Sequence, residues 1–258
     1  MKLRILKKHI PEITQTWRSK YGESYNEGLN FLVSAEEVVP NNLNLLIEQI
    51  MKGKPIQQLI GKWSFYNGDY FLNSDVLIPR PETECLVECI KSSNNKFKKI
   101  LDMGTGSGCI AIELSKIFPK ADVYGSDLSD SALLLARKNN LQTTNKVNFF
   151  KSDWFKNIEG RFDLLVSNPP YIEKTRPKNQ DLKFEPEIAL FSEEKGLRDI
   201  RIIIMNGREY LTENGWLFIE HGYNQSDAVD STFKKSGYQQ IQHGLDLQGV
   251  RRFTYAKR

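Results

Sequence analysis

Lys99-Ile-Leu-Asp-Met-Gly-Thr-Gly-Ser-Gly-Cys-Ile-Ala-Ile-Glu-Leu114 is an apolar strand, a glycine-rich turn and an apolar helix in direct succession. Glycines in Gly104-Thr105-Gly106-Ser107-Gly108 permit a tight turn and let backbone approach a ligand. The same strand–helix rhythm continues downstream. Strands are predicted at 99–103, 122–127, 146–151, 162–167 and 215–220, and helices at 108–118, 129–140, 197–212 and 223–235. Such alternation predicts an α/β fold, a mostly parallel sheet with helices on both faces. Two last strands near 237–243 and 251–257 lie close enough to form a hairpin.

Ligands of open α/β sheets bind outside the carboxyl ends of the strands, and polar residues cluster at those ends here. Asp127 ends the second strand, where an acid accepts hydrogen bonds from a ribose diol. The spacing G-T-G-S-G departs from the G-x-G-x-x-G expected for a pyrophosphate. Asp102, beside the loop, repels phosphate and suits a cationic or amino-bearing ligand. A nucleoside with a positively charged tail fits, and S-adenosylmethionine is the obvious candidate. Ser152-Asp153-Trp154 closes the third strand. There Asp153 is placed to accept from an adenine amine and Trp154 to cover the ring.

Ser167-Asn168-Pro169-Pro170-Tyr171 closes the fourth strand. Two prolines remove two donors and stiffen the turn. Asn168 adds an acceptor and donors, and Tyr171 an aromatic face. The pocket suits a planar group carrying an NH2, an amide or an adenine. Such a nitrogen is a poor nucleophile while planar. As it gains a methyl group it becomes tetrahedral and positive, and its N–H groups become better donors. Asn168 Oδ1 and the Pro169 carbonyl are placed to accept them, in bonds that strengthen in the transition state. The motif defines geometry and does not choose between glutamine and adenine.

Upstream, residues 1–54 read as a small helical domain. Leu43, Leu46, Ile47, Ile50 and Met51 form one apolar helix face, and further helices are expected near 3–9 and 21–32. Such a bundle either recruits a macromolecule or is merely structural. Residues 55–80 contain a predicted hairpin, with aromatic arms around Asn67-Gly68-Asp69. Pro81 then fits a helix start, with Glu82 and Glu84 in its first turn. Residues 81–258 form the third part.

Composition excludes little. The 258 residues carry a net charge of +4, without a concentrated basic stripe of the kind a nucleic-acid binder shows. No apolar run approaches the ~20 residues that span a bilayer. The three cysteines show no disulfide pattern, which suits the cytoplasm. Cys85 and Cys89 lack a matching Cys/His pair and read as small buried hydrophobes, so no metal is expected. His221 reads as a loop-fixing residue, and Phe149, Phe150 and Phe155 as core.

The pairing of D-M-G-T-G-S-G with S-N-P-P-Y resembles the amino methyltransferases. I-P-R-P-E-T-E (78–84), S-D-W-F (152–155), F-E-P-E-I-A-L (184–190), E-H-G (220–222) and D-L-Q-G-V-R-R (246–252) resemble one branch, the bacterial release-factor glutamine methyltransferases (PrmC/HemK family). The resemblance runs from about residue 53 to 258; the early D-A-x-x-L-L run of that family is not found. Met103 stands where Leu is usual, and Ser126-Asp127 replaces a more apolar pair.

That resemblance implies a Rossmann-like class I S-adenosylmethionine-dependent methyltransferase with a seven-stranded sheet. Gly104, Thr105, Gly106, Ser107, Gly108, Asp127, Asp153, Trp154 and Asn168 would bind S-adenosyl-L-methionine, leaving S-adenosyl-L-homocysteine. Asn168, Pro169, Pro170 and Tyr171 would hold the glutamine of a G-G-Q motif in peptide-chain release factors, methylated at N5. Glu185 and Pro186 would shape the loop after the pocket, with Arg80 supporting it. A cytoplasmic monomer acting on protein is implied, without nucleic acid or membrane as partner. The alternative is adenine-N6 methylation of DNA or RNA, which shares N-P-P-Y.

Overall fold

A computed structural model describes residues 43–175 and 182–258, together with Pro11, Gln15 and Arg18. The helices expected near 3–9 and 21–32 lie outside the described residues. Helix α1 (Leu43–Met51) forms as its periodicity predicts, with Ile50 buried. Met51, expected on the same buried face, is half exposed at the last helical position. After α2 (Ile56–Ile60) comes the hairpin of β1 (Lys62–Phe65) and β2 (Gly68–Phe71).

The hairpin turns one residue earlier than expected. Phe65 pairs with Gly68, so the loop is Tyr66-Asn67 and Tyr66 takes the positive φ of 55°. Gly68 lies inside the strand, where a Cβ would stand 2.8 Å from Glu113 Oε1 and 2.9 Å from Lys116 Nζ. Close approach of the Glu113 and Lys116 side-chain ends, not turn geometry, favours glycine there. Tyr66 is held in place by donating to Glu88 and accepting from Lys91 at 3.1 Å.

The main sheet follows from α3 (Pro81–Ser92), β3 (Lys99–Met103), α4 (Cys109–Ile117), β4 (Asp122–Asp127), α5 (Asp130–Asn140), β5 (Val147–Lys151) and β6 (Phe162–Ser167). A two-residue pair, β7 (Ile172–Glu173) with β8 (Phe191–Ser192), covers the exit of β6. Next come α6 (Arg198–Gly207), β9 (Leu211–Glu220), α7 (Ser226–Lys235), β10 (Gln239–Leu245) and β11 (Arg251–Lys257). Seven strands stand in the order β10-β11-β9-β6-β3-β4-β5, with parallel pairing from β9 to β5 and antiparallel pairing of the last two strands.

Because the central parallel strands are covered on both faces, their apolar residues alternate between two cores. Ile100, Leu164, Val166 and Phe218 join α3, α4 and the hairpin residues Phe65 and Tyr70 on one face. Leu101, Met103, Leu165, Leu217 and Ile219 join α6 and α7 on the other. The helix expected over 197–212 stops at Gly207, and Leu211 is already strand, paired with Phe162.

The hairpin is stitched to the sheet by polar groups as well. Tyr70 donates its hydroxyl to buried Glu113, which also accepts from Lys116 at 2.7 Å. Tyr70→Phe therefore strips a buried carboxylate of one donor and should cost about 2 kcal/mol. Urea unfolding measures this, and an unchanged midpoint would refute it. Asn139 clamps the other strand: its Oδ1 accepts from Phe71 N–H at 2.7 Å, and its Nδ2 donates to the carbonyls of Phe71 and Ser107. One buried side chain thus joins the hairpin to the glycine-rich loop. Among the described residues no helix is long and apolar enough to cross a membrane.

Candidate active site

Strand order reverses between β3 and β6, so their carboxyl ends flank a crevice. A cavity of about 760 Å³ opens there. Its floor is Gly104–Ser107, its sides are Asp127, Asp153, Trp154, Asn168 and Pro170, and the start of α6 contributes Asp199. Gly108, Pro169 and Tyr171, expected at the ligand surface, are not among the lining residues.

The glycine-rich loop takes left-handed backbone at Gly104 (φ 70°) and Gly106 (φ 55°). A Cβ on Gly106 would meet nothing within 4 Å, so it would project into open space. One on Gly104 would come 3.6 Å from the Trp154 ring, which places the indole over the loop. Gly108 is left-handed too (φ 81°) and is also tightly packed: its Cβ would lie 3.0 Å from that of Ala136 on α5. Trp154 is fixed by donating from Nε1 to Asp199 at 3.0 Å.

Asp102 does not face the ligand space as expected. It is fully buried beneath the loop, accepts from the Thr105 hydroxyl at 2.6 Å, and burial pushes its carboxyl up to about 7. Its work is to hold the loop closed from below. Asp127 does reach the cavity. It accepts from Gly106 N–H and Ser129 N–H, both at 2.9 Å, which orients its carboxylate at the end of β4. Burial raises its pKa, and the backbone amides of Ser129, Gly106 and Leu128 oppose that shift. Asp153 lines the cavity while accepting from Lys156 at 2.6 Å.

At the end of β6, Asn168 Nδ2 donates to Thr83 Oγ1 at 3.1 Å. Its Oδ1 is buried and has no hydrogen-bond partner among the described residues. A buried orphan acceptor is rare in a folded protein and points to a donor that arrives with a ligand. The motif's last residue faces away: the Tyr171 hydroxyl donates to Glu220 at 3.3 Å, and its carbonyl accepts from Gln225 at 2.9 Å.

This arrangement has relatives. The family model described as "Methyltransferase small domain" matches residues 81–183. A release factor glutamine methyltransferase of Buchnera aphidicola (subsp. Schizaphis graminum) is 43% identical over 220 residues, 84% of this chain and 80% of that one. That of Aliivibrio fischeri is 37% identical, covering 86% and 80%. The chain belongs to the release factor glutamine methyltransferase family. Solved structures agree in fold alone. A Pyrococcus furiosus methyltransferase superposes with a TM-score of 0.60 at 17% identity, covering 75% of this chain and 90% of that one. The hMettl16 catalytic domain, in complex with MAT2A 3'UTR hairpin 6, gives 0.62 at 14%, covering 92% and 93%.

Several stretches that carry the family resemblance are fixed by polar contacts outside the cavity lining. Arg80 bridges buried Glu185 at 2.5 Å, and Glu185 also accepts from Ile78 N–H at 2.8 Å. The loop after the pocket is thereby pinned to the I-P-R-P turn. Asp246 accepts from the Gln248 and Val250 amides and from Arg252 Nε, while Arg252 reaches Glu82 at 3.6 Å. His221 is buried between the Gly222 carbonyl and the Thr254 hydroxyl, each at 3.0 Å, and fixes its loop as expected. Cys109 is buried; Cys85 and Cys89 are half-buried against the core. No cluster of three or more metal-ligating side chains occurs among the described residues. Sequence reasoning missed Thr83 and Asp199, which line the cavity, and Gln225, which holds the Tyr171 carbonyl behind it.

Proposed function

We propose that this chain methylates N5 of the glutamine in the G-G-Q motif of peptide-chain release factors, with S-adenosyl-L-methionine as methyl donor. The observation that carries the reading is the orphan acceptor Asn168 Oδ1 at the wall of a methyltransferase cavity. Family membership supports glutamine over adenine, and the likeness to hMettl16 bears on fold alone.

When bound, S-adenosyl-L-methionine supplies an electrophilic methyl carbon. Fit is supported by Asp127 at the position of a ribose acceptor, by open space over Gly106, and by the Trp154 indole beside Gly104. Thr105, Ser107 and Gly108 complete the loop, and Asp153 stands where an adenine amine can donate. The target amide donates one N–H to Asn168 Oδ1, and the Pro169 carbonyl, set behind the lining residues here, is the expected acceptor of the other. Both bonds strengthen as positive charge develops on nitrogen, which is the condition for lowering the barrier. Pro170 shapes the wall, and Tyr171 anchors the turn from behind. No strong base is needed if the proton leaves after transfer.

The same reading divides the chain into a helical part (1–54), the hairpin (55–80) and the catalytic part (81–258). It takes the enzyme to be a cytoplasmic monomer. Methylation of purified release factor, compared with its Gln→Ala variant, tests the function. Label appearing equally in both, or only in adenine of DNA or RNA, would overturn it. Asp127→Asn should weaken S-adenosyl-L-methionine binding about 10- to 100-fold, the worth of a hydrogen bond to a charged acceptor. Calorimetry reads this directly, and an unchanged Kd would remove Asp127 from the binding site.

A further inference from the structure

The Asn168 carboxamide has two nearly isosteric orientations, and only one turns an acceptor to the cavity. What selects it lies outside the motif. Asn168 Nδ2 donates to Thr83 Oγ1, and the Thr83 hydroxyl donates to Glu220 Oε2 at 2.7 Å. Tyr171 donates to the other Glu220 oxygen. A hydroxyl has one hydrogen. While Glu220 takes it, Thr83 offers Asn168 only a lone pair, so the NH2 must turn to Thr83 and Oδ1 away from it.

We propose that Thr83 and Glu220 are positioning residues that set the polarity of this chain and hold Asn168 Oδ1, not its NH2, toward the acceptor amide. The orientation stands on the contacts alone; its effect on rate rests on the methyltransferase reading. With the opposite orientation two NH2 groups would face each other, and the bond that strengthens in the transition state would be absent.

Glu220 is 1% exposed at the end of β9. Facing it are Thr83 and Glu82 from α3, Tyr171 from the loop after β6 and Arg252 from β11. Burial pushes its carboxyl up to about 7; Glu82 adds to this, while Thr83, Tyr171 and Arg252 oppose it. Once protonated, Glu220 donates to Thr83, which is then free to donate to Asn168. The polarity is held above this pH and lost as pH falls through it.

Thr83→Val keeps the shape of the side chain and removes the hydroxyl, whereas Thr83→Ser retains it. On release factor, Thr83→Val should lower kcat about 100-fold with KM and S-adenosyl-L-methionine Kd within about 3-fold, the signature of lost orientation. Thr83→Ser should restore most of the rate. Wild-type kcat should rise with pH through about 7, and Glu220→Gln should abolish that limb. Wild-type kcat in Thr83→Val, or no rescue by Ser, overturns the proposal. The Asn168 side-chain 15N–1H signals need no substrate, and they should shift in Thr83→Val. Unchanged signals overturn the proposal whatever the substrate. Shifted signals in a protein inactive on release factor would support it and overturn the substrate reading alone.

Discussion

Asn168→Ala should lower kcat for release factor methylation by about 100- to 1000-fold, the range for removing one preorganised partner of a developing charge. The side chain presents a buried Oδ1 without a partner and an Nδ2 already committed to Thr83. Truncation removes that acceptor from the cavity wall and leaves the glycine-rich loop's own hydrogen bonds in place, because among the described residues none joins Asn168 to Gly104–Gly108 or Asp127. Asn168 is also expected to touch S-adenosyl-L-methionine, but that affinity should fall less than kcat does, the reverse of the pattern for Asp127→Asn. The pair of variants separates donor binding from amide activation. Adding Thr83→Val to Asn168→Ala should cost nothing more, since residues acting through one group are not additive. Single-turnover methylation under saturating cofactor measures the step; a kcat within about 3-fold of wild type would remove Asn168 from the chemistry.

Much of the site was legible because its residues sit in short, local patterns. Gly104–Ser107, Asp127, Asp153, Trp154, Asn168 and Pro170 all follow strands whose apolar runs mark their ends, and all line one cavity. The topology that brings β3 beside β6 is implied by strand–helix alternation. What escaped is set by contacts between distant parts of the chain. Gly68 reads as a turn residue until Glu113 and Lys116 are packed against it. Asp102 reads as a ligand-facing acid until the loop folds over it. The helix after Arg198 ends early because Leu211 is required as a partner for Phe162 at the base of β6. Thr83 looks like an ordinary residue in a helix's first turn, and its partner Glu220 lies 137 residues away. Tyr171 carries the motif's aromatic ring, yet burial and Glu220 draw it behind the wall.

Gly196→Ala should be the most disruptive substitution of a single hydrogen by a methyl group near the site. Gly196 (φ 82°) ends a turn in which Glu194 and Lys195 are also left-handed. An added Cβ would fall 2.0 Å from the Tyr171 carbonyl oxygen and 2.7 Å from its carbon. Backbone cannot give way as a flexible side chain does. Gln225 holds both segments, donating from Nε2 to the Tyr171 carbonyl at 2.9 Å and to that of Lys195 at 3.1 Å. Strained φ and overpacking together cost about 3–5 kcal/mol, a fall of about 10 °C in Tm. The displaced segment begins three residues after Asn168, within a turn stiffened by two prolines. Movement at Tyr171 therefore reaches the amide that binds substrate, and kcat should fall about 100-fold even well below Tm. Gly249→Ala is the matched control: its φ is 78°, but nothing lies within 4 Å of the added Cβ. It should cost about 1 kcal/mol and keep wild-type kcat. If Gly196→Ala loses no more stability or rate than Gly249→Ala, the close approach of the turn to Tyr171 is not what fixes the N-P-P-Y segment.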